Sequence, residues 1–437
     1  MNVHQIFPNP WLGSGIKSPL SKEDMLSFFK KFCEAIESQT RKVKRGKNAR
    51  YRTEDFLRVF FFAEIAGKAI DDASEELNEY YLKKKKGKRQ IFTDGRKRRE
   101  IPHQTDVNCF LRRIGIEKPR VILRECIFYQ LCKCLDSNIV SKNLDILIDF
   151  NERGYYGKRK DTMIKGTTRL KGTKKMRHYL MFSMLSKNDQ FFTGLEHVAK
   201  KQKKTPLILD FLNWLRAMGF TACNVAMDRE FYEAELIELI KALKTDVTMP
   251  VKSYKKVKQF IKEYLQDKGN RIRKYTISSA PGKATVYSQE VYLVICAKKG
   301  TTLIRVKRDL KRGKLTLNEA AKLLFAIMTT EKPKGKTSSW ASRICRFYRS
   351  RWFIETGISD INRIAPSWKS SHDNVRYIDL LMRMVIYNEW KAIRVLAKKS
   401  GEKRYKSRPW KLAHTQSLLS SLVLSWDKKL EGSCKRD

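Results

Sequence analysis

The sequence has few acidic residues for its length and no long uncharged apolar segment. Its 437 residues include 92 Lys and Arg against 46 Asp and Glu, which leaves a formal net charge of +46. No segment reaches the roughly 18 uncharged apolar residues that a membrane-spanning helix needs. The N-terminal segment has neither the basic start nor the apolar run of a secretory signal. We therefore expect neither an integral membrane protein nor a secreted one.

Several common cofactor motifs are also missing. The sequence has no CxxC pair, and the one CxC (Cys132 and Cys134) has no second half with His spacing, so a zinc site is not expected. No HExxH, GxGxxG or P-loop occurs, so neither a zinc hydrolase nor a nucleotide cofactor is indicated. An odd number of cysteines within apolar segments favours reduced thiols in the core of a cytosolic protein.

The excess of basic residues predicts a polyanionic partner. A net charge of this size destabilises the compact state by self-repulsion unless a negative partner offsets it. Nucleic acid is favoured, because each neutralised phosphate releases counterions. An anionic membrane surface is the alternative, but the basic residues are spread along the chain and not confined to one amphipathic helix.

The pattern of apolar residues divides the chain into segments. Residues 1–140 have helical spacing, with basic connectors at 41–52 and 83–99 that are either solvated loops or contacts to the DNA backbone. From residue 144 the pattern predicts three strands, a helix, a strand and a helix, and residues 245–313 read as β-like. We therefore expect an α/β protein with a helical N-terminal segment at 1–140, an α/β segment at 141–244, a β-like segment from 245 and a basic C-terminal tail at 398–437.

Three carboxylates are candidates for catalysis. Asp149 and Asp228 each close a predicted strand, and Glu355 lies within a predicted helix. Functional groups in α/β sheets project from the carboxyl ends of strands, and oxygen ligands suit a pair of Mg²⁺ ions that cut or join phosphodiesters. Each acid also has a structural alternative: the aspartates as turn or N-cap residues, and Glu355 as an ion-pair partner of Arg351. Asp145, four residues before Asp149, is the competing candidate.

These residues also carry a family resemblance. The segments IDFNERGYYG and AMDREFY, followed by Tyr348-x₂-Arg351-x₃-Glu355, resemble the DDE transposases of bacterial and archaeal insertion sequences, in the superfamily with a Tyr–Arg–Glu–Lys signature. The resemblance covers roughly residues 140–395. It implies an RNase H-like mixed-sheet core in which two Mg²⁺ ions, or Mn²⁺ in their place, are held by Asp149, Asp228 and Glu355.

The resemblance extends to expected DNA contacts. It implies that Tyr348 and Arg351 lie near DNA phosphates. The signature Lys is replaced by Asn362, with Arg363 next to it. Such proteins carry a β-rich insertion before the glutamate, here 245–342, which separates the two parts of the core at 141–244 and 343–397. Within the insertion, Trp340 either contacts a flipped base or is a packing residue that flanks a helix.

The resemblance thus implies a transposase that cleaves insertion-sequence ends and transfers strands into target DNA. An all-α N-terminal domain would bind double-stranded DNA, and the protein would act as a dimer on DNA in the prokaryotic cytoplasm, at the nucleoid. The alternatives are an RNase H-like nuclease without strand transfer and a non-catalytic nucleic-acid-binding protein.

Overall fold

The computed structural model describes residues 51, 53–84, 101–114, 117–158, 162–168, 172–186, 189–252, 254–279, 286–364 and 372–399. The basic connectors at 41–52 and 83–99 lie almost wholly outside these ranges. The C-terminal tail at 398–437 also lies outside them, except for its first two residues. The helices are α1 (Thr53–Ala66), α2 (Ile70–Lys84), α3 (Gln104–Arg113), α4 (Glu117–Asp136), α5 (Thr205–Ala217), α6 (Ala234–Ala242), α7 (Lys255–Leu265), α8 (Leu303–Lys311), α9 (Leu317–Lys322), α10 (Thr337–Ser350), α11 (Trp352–Arg363) and α12 (Asp373–Lys399).

One mixed sheet organises the fold. Its strands are β1 (Asn143–Gly154), β2 (Ile164–Gly166), β3 (Lys175–Ser186), β4 (Asp189–His197), β5 (Thr221–Met227), β6 (Asp246–Pro250), β7 (Ile272–Ser278), β8 (Ser288–Ala297) and β9 (Leu324–Thr329). Their order is β2-β3-β1-β5-β6-β9-β8-β7, and β4 also pairs with β3.

The core of this sheet has the RNase H-like arrangement. Strands β1, β3 and β4 form an antiparallel meander, whereas β5 runs parallel to β1 and β6 runs parallel to β5. Helices α5 and α6 supply the crossovers that parallel strands require. Helix α5 is followed by Gly219, whose φ of +83° is a conformation that glycine adopts without steric cost. The expected mixed α/β class is confirmed, and the expected order of strands and helices from residue 144 holds except for the short strand β2, which was not predicted.

The segment between Asp228 and Glu355 extends the same sheet. Strand β9 pairs antiparallel with β6, and β8 and β7 follow outward. The prediction of β structure throughout 245–313 is wrong in two places, since α7 and α8 are helices. In α7 the buried residues recur at helical spacing (Val257, Phe260, Ile261 and Leu265), which buries one face against the rest of the protein.

The N-terminal helices pack onto the core through α12. Among the described residues of α1, almost all from Leu57 to Ile65 are buried, and α1 contacts α2, α3 and α12. Glu64 on α1 and Arg383 on α12 meet in this interface, with Glu64 Oε2 3.3 Å from Arg383 Nε. On the opposite side α12 covers β4, where the Asn388 side chain bonds both the N–H and the carbonyl of Phe192, each at 2.8 Å. Within the ranges described above, no helix is both long and apolar enough to cross a membrane.

A disulfide bond joins β8 to α10, contrary to the expectation of reduced thiols throughout. Cys296 and Cys345 are bonded, with their Cα atoms 6.1 Å apart. They are 49 residues apart in the sequence, so only the packing of α10 against β8 brings them together. Five other described cysteines are free: Cys109, Cys126, Cys132, Cys134 and Cys223.

Candidate active site

Asp149 and Asp228 lie beside each other on two neighbouring parallel strands, Asp228 directly after the end of β5 and Asp149 inside β1. Because β1 continues to Gly154, the expectation that Asp149 closes its strand is wrong. The β1–β5 register pairs Ile148 with Met227, so the next residue of each strand is one of the two aspartates. Asp228 occupies the N-cap position of a single 3₁₀ turn, but its side chain makes no capping hydrogen bond. The capping alternative therefore does not account for Asp228, and both carboxylates lie where α/β sheets usually place functional groups.

Glu355 reaches this edge from the first turn of α11. The helix packs against β1 and β4 through Ile354, Gly357 and Ile361, which are buried. Gly357 permits a close approach, because a Cβ there would lie 2.7 Å from the Gln190 side-chain oxygen. This packing brings Glu355 to the face of the sheet that carries Asp149.

Arg351 joins two of the three carboxylates. Its Nη1 donates to Asp149 Oδ2 at 2.5 Å and its Nη2 donates to Glu355 Oε1 at 2.5 Å. The structure therefore realises the expected ion pair of Glu355 with Arg351, and the same guanidinium also binds Asp149. The ion-pair alternative for Glu355 is therefore observed, and its role as a site residue stays a prediction.

The helix expected to run unbroken through Tyr348, Arg351 and Glu355 is instead divided at Arg351, between α10 and α11. Around this point the N–H of Arg351 bonds the Tyr348 carbonyl and the N–H of Ile354 bonds the Arg351 carbonyl, each at 3.0 Å. These are i to i−3 bonds, which tighten a helix end relative to the regular α-helical pattern. The prediction of one continuous helix is wrong, although the spacing still brings Arg351 onto Glu355.

The electrostatics mark the three acids as one cluster. Burial raises the pKa of Asp149 to about 6, and the Arg351 guanidinium and the N–H of Phe150 oppose this shift, whereas Glu355 and Asp228 add to it. Burial by itself lowers the pKa of Arg351, but Asp149, Tyr348, Glu355 and Asp228 together raise it above its usual value. A guanidinium beside several carboxylates stays charged. A carboxylate whose pKa is raised to about 6 is a candidate for functional chemistry.

Tyr348 packs beside Arg351, and the remaining expected DNA contacts lie further along. The Tyr348 ring centroid is 5.9 Å from the Arg351 guanidinium carbon, and burial raises the pKa of its hydroxyl. Asn362 and Arg363 are exposed at the end of α11. Seven residues of helix separate Asn362 from Glu355, which corresponds to about 10 Å along the axis.

Trp340 is not brought to the carboxylates. It is 4% exposed, its indole N–H donates to Glu331 Oε1 at 3.2 Å, and its ring meets that of Tyr292 edge-on at 6.3 Å. The packing interpretation of Trp340 therefore agrees with the structure, and the base-facing one does not. The competing acid, Asp145, accepts a 2.7 Å hydrogen bond from Asn224 Nδ2 near the opposite end of β1.

Sequence reasoning missed the aromatic support behind the two aspartates. Phe150 and Phe231 stack at 4.8 Å, and the Lys204 ammonium lies 5.4 Å and 5.1 Å from their ring centroids. The signal was available, since each aspartate is followed within three residues by a phenylalanine. This stack packs β1 against the 3₁₀ turn that follows β5, and so holds the two aspartates beside each other.

The donor set suits a hard divalent cation, because all three side chains offer carboxylate oxygen. Within the described residues, a different group has its potential ligand atoms all within 4.8 Å of one another. It consists of Asp71, Glu75 and His103, in the N-terminal helical region. That group is largely exposed, and the His103 ring nitrogen Nδ1 accepts from the N–H of Thr105. The carboxylates at the sheet edge are instead spanned by Arg351, which contacts two of them.

Comparisons with known proteins identify the family of this chain. The profile of the family described as "Transposase DDE domain" matches residues 161–388, which include Asp228 and Glu355 and begin after Asp149. Among solved structures, the cryo-EM structure of the piggyBac transposase synaptic complex with hairpin DNA is similar at a TM-score of 0.47 and 14% identity, over 93% of this chain and 79% of that chain. No curated protein matches the sequence significantly. Because the matched profile spans more than half of the sequence, the chain belongs to the family of transposases with a DDE domain.

Proposed function

We propose that this protein cleaves DNA at the ends of an insertion sequence and joins the freed 3′-hydroxyl to target DNA. The observation that carries the proposal is the convergence of Asp149, Asp228 and Glu355 at one edge of the sheet, from segments far apart in the sequence. The RNase H-like strand order supports it, since it makes β1 and β5 neighbours and so brings Asp149 beside Asp228.

Asp149, Asp228 and Glu355 would hold the divalent ions, Mg²⁺ or in its place Mn²⁺. When bound, such ions activate an attacking water or hydroxyl and stabilise the leaving oxygen of a phosphodiester. The chain supplies the rigid frame for them: β1 and β5 fix the aspartates, and the packing of α11 around Gly357 fixes the glutamate. A basic protein can hold such ions only where carboxylates locally outweigh its positive charge.

DNA would be held by positive groups around this edge. Arg351, with Tyr348 beside it, is placed to receive a phosphate near the carboxylates, and Asn362 and Arg363 would contact the strand further along α11. The net charge of +46 supports extensive backbone contact. We assign binding of the element ends to the segment 1–140, and a dimer to the complex that brings two ends together in the prokaryotic nucleoid.

The test is a comparison of Asp228→Asn and Glu355→Gln with the matched control Asp145→Asn. Nicking and strand joining are followed on a supercoiled plasmid that carries candidate element ends, with Mg²⁺ or Mn²⁺, and DNA binding is measured in parallel by fluorescence anisotropy. We expect the first two variants to bind DNA but to lose both reactions, and the control to keep them.

Three results would contradict parts of the proposal. Nicking without joined products by the wild type would identify a nuclease that lacks strand transfer. Unchanged reactions in Glu355→Gln would mean that these carboxylates do not form the active site, and a wild type that binds DNA without any reaction would be a non-catalytic binding protein.

A further inference from the structure

Arg351 occupies the carboxylate oxygens that a divalent cation at this site would also use. Its two terminal nitrogens each lie 2.5 Å from a carboxylate oxygen, one on Asp149 and one on Glu355. The Arg351 and Asp149 side chains are 15% and 16% exposed, so their contact is sheltered from screening by solvent, whereas the Glu355 side chain is 45% exposed. A cation that bound both acids through these two oxygens would displace the guanidinium from at least one of them.

The local backbone is suited to such a displacement. Arg351 stands between α10 and α11, where the regular helical hydrogen bonds give way to the tighter i to i−3 pattern. The neighbouring elements are held independently of Arg351: α10 by the disulfide to β8, and α11 by its buried contacts with β1 and β4. The guanidinium can thus change partner while Glu355 and Asp149 keep their places.

A displaced guanidinium needs another anion. An uncharged environment does not stabilise it, because a partly buried charge without a partner is strongly unfavourable. A DNA phosphate is the natural partner, since a guanidinium binds phosphate through the same paired geometry as carboxylate. The phosphate that enters this edge would be the one next to the carboxylates.

We infer that Arg351 couples metal binding to DNA binding: it competes with the divalent cation for Asp149 and Glu355, and a DNA phosphate relieves that competition. In this inference, which rests on the proposed function, Arg351 is a positioning residue that keeps the carboxylates neutralised until substrate arrives. Linkage then requires that DNA tighten metal binding and that metal tighten DNA binding by the same factor.

Binding of Ca²⁺ and of DNA tests this inference without relying on catalysis. Ca²⁺ takes oxygen ligands as Mg²⁺ does. Its affinity is measured by titration calorimetry with and without a blunt duplex, and the affinity for the duplex is measured by anisotropy with and without Ca²⁺. For the wild type we expect each ligand to strengthen the other by about 5- to 150-fold, the usual range of such coupling.

The variants separate competition from simple support of the site. In Arg351→Gln, Ca²⁺ alone should bind more tightly than in the wild type, and the coupling factor should fall towards one. Arg351→Lys keeps the charge but cannot bridge two carboxylates with a planar fork. Its Ca²⁺ affinity and its coupling factor should therefore lie between those of the wild type and of Arg351→Gln. It replaces the glutamine variant in the test if that variant folds poorly. Arg349→Gln is the matched control, because Arg349 is exposed and donates to the Ala297 carbonyl instead of a carboxylate.

Three other outcomes would refute, in turn, the coupling, the competition and the metal site. Independent binding of Ca²⁺ and DNA by the wild type overturns the coupling but leaves the proposed active site intact. Weaker binding of Ca²⁺ by Arg351→Gln overturns the competition, because it would mean that the guanidinium merely orders the carboxylates. No binding of Ca²⁺ to the wild type, with or without DNA, refutes the metal site of the proposed function itself, and the inference with it.

Discussion

Removal of the disulfide bond between Cys296 and Cys345 should lower the free energy of unfolding by about 4 kcal/mol. The bond closes a loop of 49 residues, and the loss of chain entropy in the unfolded state for a loop of that length corresponds to about 4 kcal/mol at 25 °C. The double variant Cys296→Ala/Cys345→Ala avoids burying new hydroxyl groups. The remaining contacts of α10 with the sheet, around Trp340 and Ile344, should keep the variant folded.

The assay is urea unfolding of the wild type and the double variant, each with and without reductant. Reductant should destabilise the wild type to the level of the variant and should leave the variant unchanged. Alkylation of the unfolded, unreduced wild type should label at most seven of the nine cysteines. Labelling of all nine, or a wild type whose unfolding does not respond to reductant, would refute the reasoning.

Further predictions concern Asp149 at the site, Gly357 in the helix that carries Glu355, and the buried ion pair of Arg383 with Glu64 between α1 and α12. Because burial raises the pKa of Asp149 to about 6 from 3.8, the folded state binds this proton more tightly, so its contribution to stability should be lost as the pH rises from about 4 to about 6. Thermal unfolding across this range should show Asp149→Asn gaining stability relative to the wild type as the pH rises; a constant difference would contradict the shift. Gly357→Ala should cost about 1–3 kcal/mol and reduce cleavage, because its Cβ would press on Gln190, and an unchanged melting temperature would argue against that contact. Arg383→Met should cost about 3–5 kcal/mol in urea unfolding, since it removes the buried cation that contacts Glu64 and Asp379 and leaves Asp379 with the more distant Arg153, 3.7 Å away. Glu64→Gln should cost much less, because burial raises the pKa of Glu64 and favours its neutral form; equal costs would contradict this.

The break at Arg351 shows how local and tertiary information combine. Helical spacing correctly predicted that Arg351 would meet Glu355, because residues four apart share a helix face. It could not predict the contact with Asp149, which lies 202 residues earlier in the chain. Nor could it predict the division of the helix at Arg351.

The sequence by itself determined the elements that short-range physics governs. The apolar run before Asp149 predicted β1, the amphipathic segment before Gly219 predicted α5, and the excess of Lys and Arg predicted a polyanionic partner. These features depend on residues a few positions apart, or on composition alone. For the same reason, the spacing of Val257 and Phe260 held a helical signal for α7 that the β-like interpretation overlooked.

The tertiary structure decided every feature that depends on residues distant in sequence. The β1–β5 register sets Asp149 beside Asp228, the packing of α10 on β8 pairs Cys296 with Cys345, and the same packing buries Trp340. Periodicity carries no information about such pairs, since it reports only which face of an element is apolar. The pairing arises from how whole faces pack against each other, and that packing brings the three carboxylates to one edge of the sheet.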